Sequence, residues 1–182
     1  MSETPARSGL VLGRLFGKPR LSAEKREAIL AYLKQEALLT AKRDEVGGMF
    51  NRAMTIWEPC GPDDASANEA IAAAAAQTAV AYRDAVTKHS NIVGIPDEAG
   101  ASYMTWHSAD LALAEWAEAA SDVYAGIVHA GIGGVTQGMV RAKYLLAEAE
   151  RLVGLARKEQ LRLIKSIKGT FDELRELDNL QR

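Results

Sequence analysis

All five prolines of this chain stand at or before Pro96, and none follows through Arg182. Proline fixes φ and lacks the amide proton that a helix interior needs, so its absence leaves the second half free to run as long helices. Alanine occurs 32 times among 182 residues, and it is the best helix former because it loses no side-chain entropy on folding. The expected class is therefore all-α. The length fits one domain. A hydrophobic content of 48% and a charged content of 25% match ordinary globular chains, which argues against disorder and against a polytopic membrane protein.

The periodicity of apolar residues divides the chain. Residues 1–21 have no sustained period and read as an irregular basic N-terminal arm, with Arg7, Arg14, Lys18 and Arg20 among leucines and a phenylalanine. Residues 22–182 form the expected single helical domain. Ser22 is a natural N-cap, followed by a face of Leu30, Leu33, Ala37 and Ala41 that resumes as Val46, Phe50, Ala53 and Trp57, with a kink expected at Gly47-Gly48. Residues 58–66 read as a connection, and Ser66 with Glu69 as a capping box for a second helix. That helix carries Ile71, Ala75, Thr78, Tyr82, Ala85, His89 and Val93 on one face and ends by Gly94 to Pro96. Asp97 or Ser102 is the expected cap of the third. Leu146, Ala149, Val153, Ala156, Gln160, Leu163 and Ile167 then keep a heptad register, and "TFDE" at Thr170–Glu173 opens a short last helix. The expected fold is an elongated antiparallel bundle of three to five helices, at least one of them long and coiled-coil-like.

Glycine complicates this reading at "GIVHAGIGGVTQG", residues 126–138, which holds five glycines. A phosphate loop is excluded, because Gly133 and Gly138 have the first spacing of that motif but Met139 and Val140 stand where lysine and serine or threonine belong. A dinucleotide fingerprint fails as well: Thr136 replaces the third glycine and no strand precedes it. Val123–Val140 is free of formal charge over a span at the lower limit for a membrane helix, but His129, Thr136, Gln137 and the glycines weaken that reading. The expectation is a packing seam of Gly126, Ala130, Gly134, Gly138 and Ala142, small residues every fourth position along one helix. A turn at the same glycines is the alternative.

Charge is segregated. Residues 1–57 carry a net +4, residues 58–122 a net −9 and residues 123–182 a net +3, summing to −2. Such a pattern suits docking between segments of one chain or between copies. Cys60 is the sole cysteine, so no intrachain disulfide can form. The only apolar run before Arg14 is shorter than a signal-peptide core, so synthesis in the cytoplasm with no cleaved signal peptide is expected, the final location being open.

Residues with chemistry are few. The three histidines lack the Glu-x-x-His spacing of carboxylate-bridged di-iron bundles, and no metal set, cofactor site or catalytic residue stands out. Tyr103, His107 and Asp110, one helical turn apart, form the best polar cluster, with His107 and Asp110 read as a structural hydrogen-bonded pair. Trp57, Trp106 and Trp116 read as core. The functional expectation is a non-enzymatic structural or scaffolding subunit acting through helix association in a homo- or hetero-oligomer. Leu146, Val153, Leu163 and Ile167 supply its association face, and a second copy or another protein subunit is its partner. Two alternatives remain. One is a membrane-interacting protein of the injected or pore-forming type, using the basic arm and the Gly-rich helix on an anionic bilayer. The other is a ligand-binding or enzymatic bundle built on Tyr103, His107 and Asp110. Nucleic acid and small-molecule ligands rank below protein partners.

Overall fold

A computed structural model describes residues 21–61 and 63–167 of the chain. Among them are four α-helices, α1 (Ala23–Cys60), α2 (Ala65–Ser90), α3 (Gly100–Ala130) and α4 (Thr136–Ile167), with single 3-10 turns at Asp97–Ala99 and Ile132–Val135 and no strand. The basic arm and the segment after Ile167, including the expected last helix, lie outside the described residues.

Each helix begins and ends for a local reason. Ser22 caps α1, its side chain accepting a hydrogen bond from the Lys25 amide. The helix continues unbroken through Gly47-Gly48, where a kink was expected, and through Pro59 to Cys60. It stops at Gly61, whose φ of 74° is a conformation that glycine adopts without steric cost. The cap of α2 is Asp64, accepting from the Ala67 amide, and not Ser66. Both residue types cap well, but the one just outside the helical dihedrals wins. α2 ends at Ser90, so Val93 falls beyond its face and is exposed. Neither Asp97 nor Ser102 caps α3: it follows directly on the 3-10 turn, and Ser102 is buried within it, receiving the Tyr32 hydroxyl.

The Gly-rich stretch is a turn. α3 terminates at Gly131, with φ of 70°, and α4 returns alongside it. The stripe Gly126, Ala130, Gly134, Gly138, Ala142 therefore does not run along one helix. Gly126 and Ala130 belong to α3, Gly134 to the 3-10 turn, and Gly138 and Ala142 to α4. Close approach occurs between the arms of the hairpin instead. A Cβ on Gly126 would lie 2.5 Å from Val135 Cγ1, and one on Gly138 would lie 2.9 Å from Val123 Cγ2.

Successive helices pack as antiparallel neighbours, while α1 and α4 meet chiefly at one end, where Ile29, Tyr32 and Leu33 face Leu163 and Ile167. α1 and α3 run parallel across the core, joined by contacts that climb both chains in step: Tyr32 to Ser102, Arg43 to Asp110, Phe50 to Trp116 and Met54 to Tyr124. The apolar core has two main parts. One gathers Val46, Phe50, Ile71, Ala75, Tyr82, Trp116 and Ala120; the other gathers Ile29, Tyr32, Leu33, Ala99, Leu163 and Ile167. The heptad residues of α4 face inward. Leu163 and Ile167 are buried in the second part, Leu146 packs on the first, and Val153 packs beside Trp106, Ala109 and Ala156. The face expected to bind a partner is thus occupied by the chain's own core.

Among the described residues no helix is long and apolar enough to cross a membrane. The turn at Gly131 divides the uncharged stretch that raised that reading.

Candidate functional site

Between the two apolar parts lies a layer of buried charge. Glu36 and Arg43 stand two turns apart on the inward face of α1, His89 in the last turn of α2, and Asp110 on α3. Glu36, His89 and Asp110 are fully buried, and Arg43 nearly so. Arg43 binds Asp110 with both sides of its fork, Nε to Oδ1 at 2.5 Å and Nη2 to Oδ2 at 2.8 Å. Its Nη1 donates to Glu36 Oε1 at 2.7 Å and to Thr40 Oγ1 at 3.2 Å. The guanidinium lies over the Trp106 ring, 4.3 Å from the centroid, where the ring's negative face attracts it.

His89 Nδ1 lies 3.0 Å from Asp110 Oδ2 and 3.2 Å from Arg43 Nη2. Guanidinium nitrogens only donate and an ionised carboxylate only accepts, so the shorter contact assigns a proton to Nδ1, donated to Asp110. Two carboxylates share one guanidinium, and their titrations diverge. Burial pushes Glu36 above the usual carboxylate range, against the pull of Arg43 and His89. Burial pushes Asp110 upward too, but hydrogen bonds from Arg43 and His89 outweigh it and hold this carboxyl below its ordinary value.

Of the polar cluster expected from sequence, the structure brings Tyr103 and His107 together as stacked rings with centroids 6.1 Å apart and planes within 4°. Asp110 does not join them. It turns to Arg43 and His89, and the expected His107–Asp110 bond is replaced by contacts of both histidines around Tyr103: His89 lies 4.7 Å from the Tyr103 ring and 5.6 Å from that of His107. Four buried polar atoms here, Glu36 Oε2, His89 Nε2, Trp106 Nε1 and His107 Nδ1, have no hydrogen-bond partner among the described residues. Most buried polar atoms in folded proteins are paired, so this concentration sets the layer apart from ordinary core.

Directly beside the layer, a cleft of about 580 Å³ opens between α1 and α4. Its floor is Arg43, Tyr82 and Trp106; Gly47 and Gly48 line the α1 wall, Val153 and Gly154 the α4 wall. At the mouth stand Asp44, Glu150 and Arg157, with Asp44 and Arg157 3.8 Å apart. The three glycines differ from Gly126 and Gly138. A Cβ on Gly154 would meet nothing within 4 Å, and on Gly47 or Gly48 only an ordinary contact at 3.4 Å. Packing among the described residues does not require them.

Sequence reading missed Glu36, Arg43 and the cleft. The available signal was phase: both charged residues fall on the stripe that carries Ile29, Leu33 and Val46, as His89 falls on the stripe of Tyr82 and Ala85. A charged residue in register with an apolar face must be paired. Among the described residues no group of three or more His, Cys, Asp or Glu side chains is arranged to hold a metal ion. Comparison with protein families, curated proteins and solved structures finds no match to this chain.

Proposed function

We propose that the protein is a non-enzymatic ligand-binding helical bundle that holds a small molecule in the cleft between α1 and α4. The observation that carries this reading is the glycine lining. A helix-interior glycine costs about 1 kcal/mol relative to alanine, and Gly154 has open space where a side chain would fit. Three such glycines around one cavity have an explanation if something fills the space they leave. The volume lies within the range of small-molecule sites, and the walls combine apolar surface with a few polar groups.

The uncharged fluorophore N-phenyl-1-naphthylamine tests it. Fluorescence should rise on binding to the native protein and not to Gly154→Leu, whose melting temperature should equal or exceed the native one. Equal binding by both proteins, or none by the native, overturns the reading.

A second reading, a structural subunit in a larger assembly, draws support from the tip of the α3–α4 hairpin. Val128, Ile132, Met139, Val140 and Tyr144 are exposed within one short stretch, a concentration of apolar surface that suits a protein partner. Light scattering at high micromolar concentration, together with recovery of partners from the source, decides it: a monomer with no partner rules it out.

A further inference from the structure

We infer that the cleft selects a small organic cation, an amine or amidine carrying one ring or a short alkyl body. This rests on the cleft being a ligand site, and it adds the chemical class.

The argument begins with what an anion would meet. Among the described residues Arg43 is the only cation on the floor, and each of its nitrogens is engaged by Asp110, Glu36 or Thr40. A carboxylate or phosphate entering the cleft would have to displace a buried carboxylate from that guanidinium, leaving the displaced group charged and unpaired. The indole face of Trp106 is likewise already covered by Arg43. The floor therefore offers an anion no uncommitted cation.

A cation meets the opposite situation. The charged residues lining the cleft are Arg43, Asp44, Glu150 and Arg157, and Arg43 is already neutralised from the layer beneath by Asp110 and Glu36, so the lining is left with two carboxylates and one guanidinium outside that layer. Asp44 and Arg157 are 62% and 60% exposed and 3.8 Å apart, a contact weak enough to open without penalty. Glu150 makes no ion pair or hydrogen bond within the described residues. The Tyr82 hydroxyl, its pKa pushed up to about 12 chiefly by burial, stays neutral and can accept from a ligand N–H. Below these polar groups the walls are Leu113, Val153 and bare glycine backbone, a surface for a flat apolar body.

Three probes of one shape and different charge test the assignment on the full chain: benzamidinium, benzamide and benzoate, titrated by calorimetry. Benzamidinium should bind about fivefold more tightly than benzamide, the gain expected of one partly exposed charge pair, and benzoate most weakly. Glu150→Gln should reduce the preference for benzamidinium, and Gly154→Leu should abolish its binding while the protein melts normally. Benzoate binding as well as benzamidinium, or no binding of any probe, overturns the cation assignment. Equal binding of all three that is lost in Gly154→Leu overturns the cation assignment but upholds the cleft as a ligand site. Benzamidinium binding unchanged in Gly154→Leu places the cation elsewhere and overturns both.

Discussion

Two regions of this core are equally dry and differently built. Around Phe50, side chains from α1, α2 and α3 meet as rings and aliphatics: Trp116 stands edge-on to Phe50 with centroids 5.3 Å apart, and Ile71, Ala75 and Tyr82 fill the remaining space. Two turns back along α1, the same three helices meet through Glu36, Arg43, His89 and Asp110. In the apolar region each contact is weak and the sum is large, so one lost methyl is felt in proportion. In the charged layer the members depend on one another, because each carboxylate is tolerable only while its cation is present. The first region graduates; the second holds or fails as a unit.

The sharpest way to break that contrast is Arg43→Met. It leaves Glu36 and Asp110 buried without a cation and should lower stability by about 3–5 kcal/mol, read by urea denaturation at neutral pH. A loss of less than about 1 kcal/mol would mean that the carboxylates reach water without it. In the apolar region Ile71→Val removes a single methylene and should cost about 0.5–1.5 kcal/mol in the same measurement. If it matches the arginine variant, the two regions do not differ as described.

Acid sharpens the comparison further. Asp110, held below its ordinary value of 3.8, contributes stability that is present above that pH and lost as pH falls through its folded pKa. Glu36, raised above 4.5, does the reverse: its ionisation is a penalty at pH above its folded pKa, relieved as pH falls through that value toward 4.5. Stability contributed by the layer should therefore rise on mild acidification and fall only below pH 3.8. Glu36→Gln keeps an oxygen for Arg43 and should flatten the upper limb, shifting stability at neutral pH by less than about 1 kcal/mol. A steep upper limb that persists in this variant would assign the proton to another group.

At the glycines the sign decides, not the size. Gly154→Ala should stabilise by up to about 1 kcal/mol in thermal denaturation, whereas Gly126→Ala, with Val135 in the way, should destabilise by about 1–3 kcal/mol despite the better helix propensity. Equal signs would erase the distinction between a glycine that keeps space open and one that permits contact.

Helix existence and type were legible because alanine content, proline placement and apolar period all agree. Ser22 could be named as a cap, and the inward face of α4 could be read from Ala149, Ala156 and Leu163. What that face packs against could not, because an apolar stripe is indifferent to whether its partner helix belongs to the same chain. The Gly-rich stretch was ambiguous for a related reason. A turn and a close helix contact both call for glycine, and here Gly131 makes the turn while Gly126 and Gly138 lie where its two arms come close. The charged layer escaped because Glu36 and Arg43 are distant from Asp110 in sequence, and only the packing of α1 against α3 joins them.

The sparse contact between α1 and α4 also bears on how the chain reaches its fold. Each helix packs chiefly on its neighbour in sequence, so the bundle can assemble as three successive hairpins, with few loops to close over long stretches of chain. One late, long-range step remains, the docking of the first helix on the last through Ile29, Tyr32, Leu33, Leu163 and Ile167. Beyond that contact the seam stays ajar, and the cleft lies along the stretch that the closure leaves open.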